Sequence, residues 1–480
     1  MRFRFSLFAI MLFSITVNGQ TSMFNKYVVY FKDKNNNTCS VNNPSAFLSQ
    51  KAIDRRIKFG IDITEKDLPL TQSYLDSVIS TGVKILNPSK WLNCVTIQTS
   101  DSLALISIAN FPFVDTVYPV SVYPAPQVNG IFFGPNPPYT ISNNPLKYGM
   151  DTNQIYMLHG EYLHQHGFTG EGITIALLDA GFMNADTLTV FDSLFINQQI
   201  LGTKDFVEGN DSVYDDDAHG SMVLGCIGAN VPGNLVGTAT HAKFWLLRSE
   251  DAPSENIIEE YNWASAAEFA DSVGADIIST SLGYTTFDSS YANHTYSSMN
   301  GNTTPCTIAA DIAASRGMLV LCSAGNEGDN PWYHIGAPSD ADSVICVGAV
   351  DSSGTIATFS SRGPSADGRV KPNVCAQGRK IWTVNPSNGG LTESSGTSFS
   401  CPITAGISAC LWQAHPEKTF WEIKHAIEFS ASFFVDPNSN YGFGIPDFQL
   451  ADLCLSGQLP ESFNNFSLPA VYPNPFHNEI

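Results

Sequence analysis

Ile173-Thr174-Ile175-Ala176-Leu177-Leu178-Asp179-Ala180-Gly181 is the stretch on which the fold turns: five apolar residues, broken only by Thr174, end in a carboxylate and a glycine. Such a run marks a strand buried on both faces. In sheets of parallel strands, catalytic and ligand groups gather at the carboxyl ends, where Asp179 falls. Further runs predict strands over 242–247, 275–279, 318–323 and 343–347. Helical stretches fit 220–229, 257–273, 307–316 and 397–414. The alternation predicts an α/β fold, a doubly wound parallel sheet with helices on both faces.

Three later blocks bring chemistry to this frame. They are Asp217-Ala218-His219-Gly220-Ser221, Ser323-Ala324-Gly325-Asn326 and Ser395-Gly396-Thr397-Ser398-Phe399-Ser400-Cys401-Pro402. With Asp179 they supply a carboxylate, an imidazole, an amide and a hydroxyl, the parts of a serine acyl-transfer site. A carboxylate at Asp179 can fix the tautomer of His219. A helix start at His219 would keep the imidazole neutral, as a general base requires. Ser398 at a helix start has its own N–H pointed toward a developing oxyanion, and Asn326 offers a second donor. Each residue alone also has a plain reading: a strand-end Asp, a surface or capping His, a helix N-cap Ser, a turn Asn. Asp215-Asp216-Asp217 could raise the His219 pKa, form a solvated loop, or ligate calcium. The absence of a G-x-S-x-G elbow and the order Asp, His, Ser argue against a rival reading, an esterase or lipase on the α/β-hydrolase fold.

Over about residues 147–450 these blocks resemble the subtilisin-like serine proteases. The resemblance extends to Gly274-Ala275-Asp276-Ile277-Ile278-Ser279-Thr280-Ser281-Leu282-Gly283, to 337–351 and to Phe359-Ser360-Ser361-Arg362-Gly363-Pro364. It implies a triad of Asp179, His219 and Ser398, with Asn326 at the oxyanion. It implies that Ser281, Leu282 and Gly283 pair with extended substrate, and that Ala324 and Gly325 line the primary specificity pocket. No cofactor is required for that chemistry; structural calcium is a habit of the family, and no EF-hand-type loop is present. The pattern departs from the family at Ala180, where Ser or Thr is usual, and at Ser221, Phe399, Ser400 and Ile403. Ala180 removes a hydroxyl that could support Asp179. It leaves room for an alternative, a subtilisin-fold binding module or pseudoprotease with little turnover.

The organisation around this body follows from composition. Residues 1–19 read as a signal peptide, with Arg2 and Arg4 before an apolar stretch too short to span a bilayer comfortably. Residues 20–120 read as a small α+β unit, with strands at 26–31, 83–86, 94–98 and 114–120 and helices at 46–58, 73–81 and 102–109. This unit resembles the family's inhibitory, ferredoxin-like prodomain, which implies a self-processing precursor with the prodomain as its own inhibitor. Residues 121–145, rich in Pro, Asn and Gly, are an exposed linker and the expected place of the cut. The catalytic domain is expected over 146–455, and 456–480 as a polar tail. Its Leu468-Pro469-Ala470-Val471-Tyr472-Pro473-Asn474-Pro475-Phe476 resembles the start of a type IX secretion sorting domain, which runs longer than this chain continues.

Net charge is -21 over 480 residues. Residues 20–140 hold 10 Lys+Arg against 8 Asp+Glu, and 141–480 hold 12 against 37. A body so acidic argues against nucleic acid or anionic membrane as partner. The expected partners are protein or peptide substrates, and a monomer, secreted or held at the cell surface, is expected. Glu250, Asp251, Glu255, Glu259 and Glu260 lie where the family walls the sites upstream of the cut. They suggest a preference for basic residues there, or only a solvated helix start. Ten cysteines show no CxxC or metal-ligand spacing, and those in apolar runs fit buried thiols at least as well as bridges.

Overall fold

The structure, a computed structural model, describes residues 24–122 and 147–459. The signal stretch, nearly all of the linker and the sorting-like tail lie outside these residues. The N-terminal unit runs β1 (Phe24–Phe31), α1 (Gln50–Phe59), α2 (Gln72–Ile79), β2 (Lys84–Ser89), β3 (Cys94–Gln98), α3 (Ser102–Ala109) and β4 (Val114–Val122). Its strands pair antiparallel in the order β2-β3-β1-β4. Successive side chains of β1 face opposite ways. Val29 and Phe31 join Tyr74, Val78, Ala104 and Ile108 in the unit's own core. Val28, with Tyr30 beside it, instead packs on Ile258 and Tyr261 of the body. The strand is therefore covered on both faces. β4 continues two residues past the expected end, into the stretch read as linker.

The body begins with α4 (Thr152–Tyr156), α5 (Gly160–Gln165), β5 (Thr174–Asp179), α6 (Asp192–Ile196), β6 (Ile200–Asp205), α7 (His219–Gly228), β7 (Asn230–Val231) and β8 (Leu235–Val236). It continues with β9 (Lys243–Arg248), α8 (Ile258–Val273), β10 (Ile277–Thr280), α9 (Pro305–Ser315), β11 (Leu319–Ser323), β12 (Ile345–Val350) and β13 (Val374–Gln377). β14 (Ile381–Val384), β15 (Leu391–Ser394), α10 (Thr397–Ala414), α11 (Phe420–Phe429) and α12 (Phe448–Leu455) complete it. The main sheet has seven strands in the order β13-β12-β11-β10-β5-β9-β6, all parallel. The doubly wound prediction holds, with two strands more than the sequence suggested. β6 is an edge strand whose Gly202, Thr203 and Lys204 hide its periodicity. β13 is only four residues long. α5, α7 and α10 pack together on one face, and α8 and α9 pair on the other. From β5 the chain crosses to the edge strand β6, comes back to β9 between the two, and then passes to β10 on the other side of β5. The crevice above β5 and β10 is thus the switch point where ligands bind in such sheets.

The N-terminal unit docks on α8 through buried charge. Asp271 accepts from Arg55 (2.6 Å) and Arg56 (2.8 Å). Arg56 also pairs with Asp67 of its own unit at 3.0 Å, and Asp67 pairs with Arg316 of the body at 2.9 Å. Glu268 accepts from Ser89 Oγ (2.6 Å) and from the backbone N–H of Lys90 (2.7 Å) and Trp91 (3.0 Å). Tyr261 Oη bridges Tyr30 (3.0 Å) and Tyr118 (2.7 Å). All ten cysteines are free, nine of them buried. No helix among the described residues is long and apolar enough to cross a membrane.

Candidate active site

Asp179 is the last residue of β5 and is fully buried. Its Oδ1 lies 2.7 Å from Nδ1 of His219, the first residue of α7. Two glycines permit that approach. Gly181 has φ 153°, and a Cβ there would strike the backbone of Asp217. A Cβ on Gly220 would strike the carbonyl of Gly181, which instead accepts from Gly220 N at 2.9 Å. The strand end and the helix start are joined directly through backbone. Asp217 Oδ1 accepts from His219 N at 2.8 Å. Asp179 Oδ1 also accepts from Ala180 N at 2.9 Å, while Oδ2 is buried without a protein partner. A hydroxyl at position 180, absent here, is the kind of group that would meet that oxygen.

Ser398 is the second residue of α10, which starts after Gly396, so it is not an N-cap and makes no capping bond. Its Oγ donates to the Ser281 carbonyl at 3.3 Å rather than to His219. Ser281 Oγ in turn donates to the Ser398 carbonyl at 2.8 Å. Pro402 explains that second bond. It lies four residues after Ser398 inside α10, where a residue with an N–H would donate to that carbonyl. The missing bond leaves an acceptor that Ser281 fills. The nucleophile candidate is therefore latched at two atoms to the segment following β10. The sequence held the signal, a proline four residues past the serine, but gave no hint of its partner.

Asn326 follows β11 and is exposed. Its Oδ1 accepts from Thr397 N (2.9 Å) and Thr397 Oγ1 (3.1 Å), which directs the opposite, donating end of the amide away from the helix backbone. Asn326 Nδ2 lies 3.6 Å from where a Cβ on Gly396 would be. Thr397 Oγ1 also accepts from Gly325 N at 3.2 Å. Thr397 thus ties the Asn326 loop to the start of α10, a role the sequence reading missed. Leu282 is buried, Gly283 exposed, and the chain next pairs through Tyr284 with Ala337. Ala324 is wholly buried against Ile335 and Cys346, while Gly325 is half-buried.

The electrostatics correct one expectation. A helix start was expected to hold His219 neutral, but its pKa is raised to about 9. Burial alone would lower it; the charge and hydrogen bond of Asp179, then Asp217 and Glu250, outweigh that. Of the three aspartates before His219, Asp217 is the one among the largest causes of this rise. Asp216 instead pairs with Arg248 at 2.9 Å and Asp215 accepts from Ser212. Among the described residues, no group of three or more His, Cys, Asp or Glu is arranged to hold a metal ion.

Residues 170–444 match the model of the subtilase family, and residues 26–129 match that of the Peptidase S8 propeptide domain of Bacteroidota. Subtilisin E of Bacillus subtilis (strain 168) is 30% identical over 301 residues, covering 62% of this chain and 70% of that protein. Serine protease AprX of the same organism is 30% identical over 305 residues, covering 58% and 65%. Subtilisin of Bacillus pumilus is 30% identical over 301 residues, covering 62% and 97%. The family match spans more than half of the chain, which therefore belongs to the subtilase family: it is a serine-type endopeptidase made as a precursor with its own propeptide.

Proposed function

We propose that this chain hydrolyses peptide bonds through Asp179, His219 and Ser398 by way of an acyl-enzyme. Ser398 Oγ attacks the scissile carbonyl, and His219 Nε2 takes its proton and later returns it to the leaving amine. Asp179 holds the imidazole by Nδ1. The amide of Asn326 and the N–H of Ser398 receive the oxyanion, and removing one such donor raises the barrier by about 3–4 kcal/mol. Ser281, Leu282 and Gly283 take the substrate as an added strand, and Ala324 and Gly325 bound the pocket of the residue before the cut. The observation that carries this reading is the 2.7 Å Asp179–His219 bond at the switch point, where α7 packs against α10, the helix that carries Ser398. The bond of Ser398 to Ser281 in place of His219 fits a precursor whose nucleophile has yet to engage.

The domain limits are proposed as read: signal peptide 1–19, propeptide 20–120, linker with the maturation cut 121–145, catalytic domain 146–455. Export by the signal peptide, and across an outer membrane by a type IX sorting domain beginning in the tail, completes the proposal. The test is an intact-mass time course of the purified precursor with and without a fluorophosphonate, beside Ser398→Ala. Wild type should shed roughly its first 140 residues and take up one probe, and the variant should do neither; loss of the nucleophile lowers turnover about 10⁶-fold. A variant that matures and labels like wild type would remove Ser398 from the mechanism. A wild type that neither matures nor labels would favour the binding-module alternative.

A further inference from the structure

Five carboxylates were grouped by sequence at 250–260, and the structure divides them. Glu260 is buried but paired, with His294 Nε2 at 2.5 Å and Cys306 Sγ at 3.3 Å. Asp251 accepts from Ser254 Oγ at 2.9 Å and lies 3.7 Å from Arg248. Glu250, Glu255 and Glu259 have no Lys or Arg partner among the described residues. They differ in burial: Glu259 is buried in the first turn of α8, Glu250 is half-buried after β9, and Glu255 is exposed. Asp288 and Glu327 add negative charge beside Glu255.

Two buried polar atoms point to an occupant. Glu259 is 1% exposed, and its Oε1 has no protein hydrogen-bond partner. Tyr284 is also 1% exposed, and its hydroxyl has none either; burial first, then the charges of Glu250, Glu259, Cys306 and Glu255, push its pKa up. Tyr284 directly follows Ser281-Leu282-Gly283. On the other side, Glu250 senses Asp179 and His219. The positive group acting on Glu250 is His219 itself, which must be neutral to work as a base. These carboxylates are not arranged to close on a metal ion. A long organic cation suits such a set, because its charge sits on a flexible or forked end.

We propose that Glu250, Glu255, Glu259 and the Tyr284 hydroxyl form a subsite for a protonated amine or guanidinium of the substrate, upstream of the scissile bond. This rests on the proposed triad and names the substrate class of that same site. A buried carboxylate such as Glu259 is costly as a charge until a cation pairs with it, so the preference comes from local pairing rather than from the net charge of the body. The stretch from 121 to 146 contains no Lys or Arg, so self-processing there proceeds without the proposed occupant.

The test uses the self-processed enzyme and a fluorogenic peptide series with Lys, Arg or norleucine at each of four positions upstream of the cut. Each peptide is made with a free and an acetylated amino terminus. The readout is the ratio of kcat/KM for Lys or Arg over norleucine, which cancels differences in active enzyme. Wild type should prefer the cation at one or two positions by about tenfold or more, the lower range for close charge pairs. Glu259→Gln and Glu255→Gln should each reduce that ratio several-fold, and self-processing reports that each variant folds. Preference that survives acetylation assigns a side chain; preference lost on acetylation assigns the substrate's amino terminus. If wild type cleaves the norleucine peptide but shows no cationic preference, the subsite is wrong and the triad stands. An unchanged ratio in both variants overturns the subsite as well. If wild type cleaves no peptide at all, the serine-protease reading fails and takes the subsite with it.

Discussion

Helix α8 carries buried carboxylates at both ends, and the two ends are treated differently. Near its last turn, Glu268 and Asp271 meet Ser89, Lys90, Trp91, Arg55 and Arg56 of the N-terminal unit. In its first turn, Glu259 has one oxygen without any protein partner. The helix dipole would favour the reverse, since its carboxyl end repels acids and its amino end accepts them. Local helix physics therefore does not explain the pattern. Asp271 sits at the unfavourable end because the propeptide brings its cations there. On the proposed reading, Glu259 has no cation at the favourable end because the substrate brings one. One helix would then serve two ligands, one built into the chain and the other arriving from outside.

The hardest blow to this contrast is Asp271→Asn in a Ser398→Ala precursor, which does not process. Removing one partner leaves Arg55 and Arg56 buried with less charge to meet, and breaking a buried pair costs about 3–5 kcal/mol. Thermal melts should show a correspondingly large loss, and a wild-type melt would mean that the seam's charges are idle. The same pairing sets an acid limit. Burial alone would raise the Asp271 pKa, but Arg56, Lys90 and Arg55 hold it well below the usual carboxylate range. Its stabilisation is therefore full above the ordinary Asp range and fades as pH falls toward the depressed value.

How much of this was legible in the sequence depends on how local the signal was. Asp179 and His219 announced themselves because each ends or begins an element beside a glycine, and their meeting needs only two loops to touch. The start of α10 was legible for the same reason. The grip of Glu268 on Lys90 and Trp91 was not, because it joins positions 178 and 177 residues apart through backbone N–H groups that carry no sequence identity. The roles of Arg55 and Arg56 were not legible either, since nothing in α1 states that its neighbour is α8. The five acids at 250–260 were visible as a group, yet only the fold could separate the paired from the unpaired. Ser281 needed both kinds of information: the freed carbonyl follows from Pro402, and its partner follows from the order of strands.

A second test works at the open end through His219. Asp179, Asp217 and Glu250 together raise its pKa to about 9 against the opposing effect of burial. A general base works when neutral, so kcat/KM should climb with pH through about 9 and lie about a hundredfold below its plateau at pH 7. Asp217→Asn keeps an oxygen to accept from His219 N but removes a charge, so the acid limb should move to lower pH. A profile centred near the ordinary histidine value in wild type would show that the acidic mouth exerts no field on the base.

The smallest effect expected is opposite in sign to the first, and it separates the two ends of α8 most cleanly. Burial first, then Glu250 and Glu255, pushes the Glu259 pKa well above the ordinary glutamate value. Such a group adds stability below its unfolded pKa, and that contribution is lost as pH rises through the folded value. Glu259→Gln has nearly the same shape as the protonated acid and needs no proton to be neutral. In the Ser398→Ala precursor, Glu259→Gln should therefore raise the melting temperature at pH 8 by the equivalent of about 1 kcal/mol, less at pH 5. Asp271→Asn lowers stability because the charge that meets two cations is lost; Glu259→Gln raises it because no cation was there, and the amide oxygen can still accept from Asn256 N. A Glu259→Gln precursor that melts lower than its parent at pH 8 would mean that the carboxylate already has a cation within the folded chain, and the two ends of the helix would then differ in degree rather than in kind.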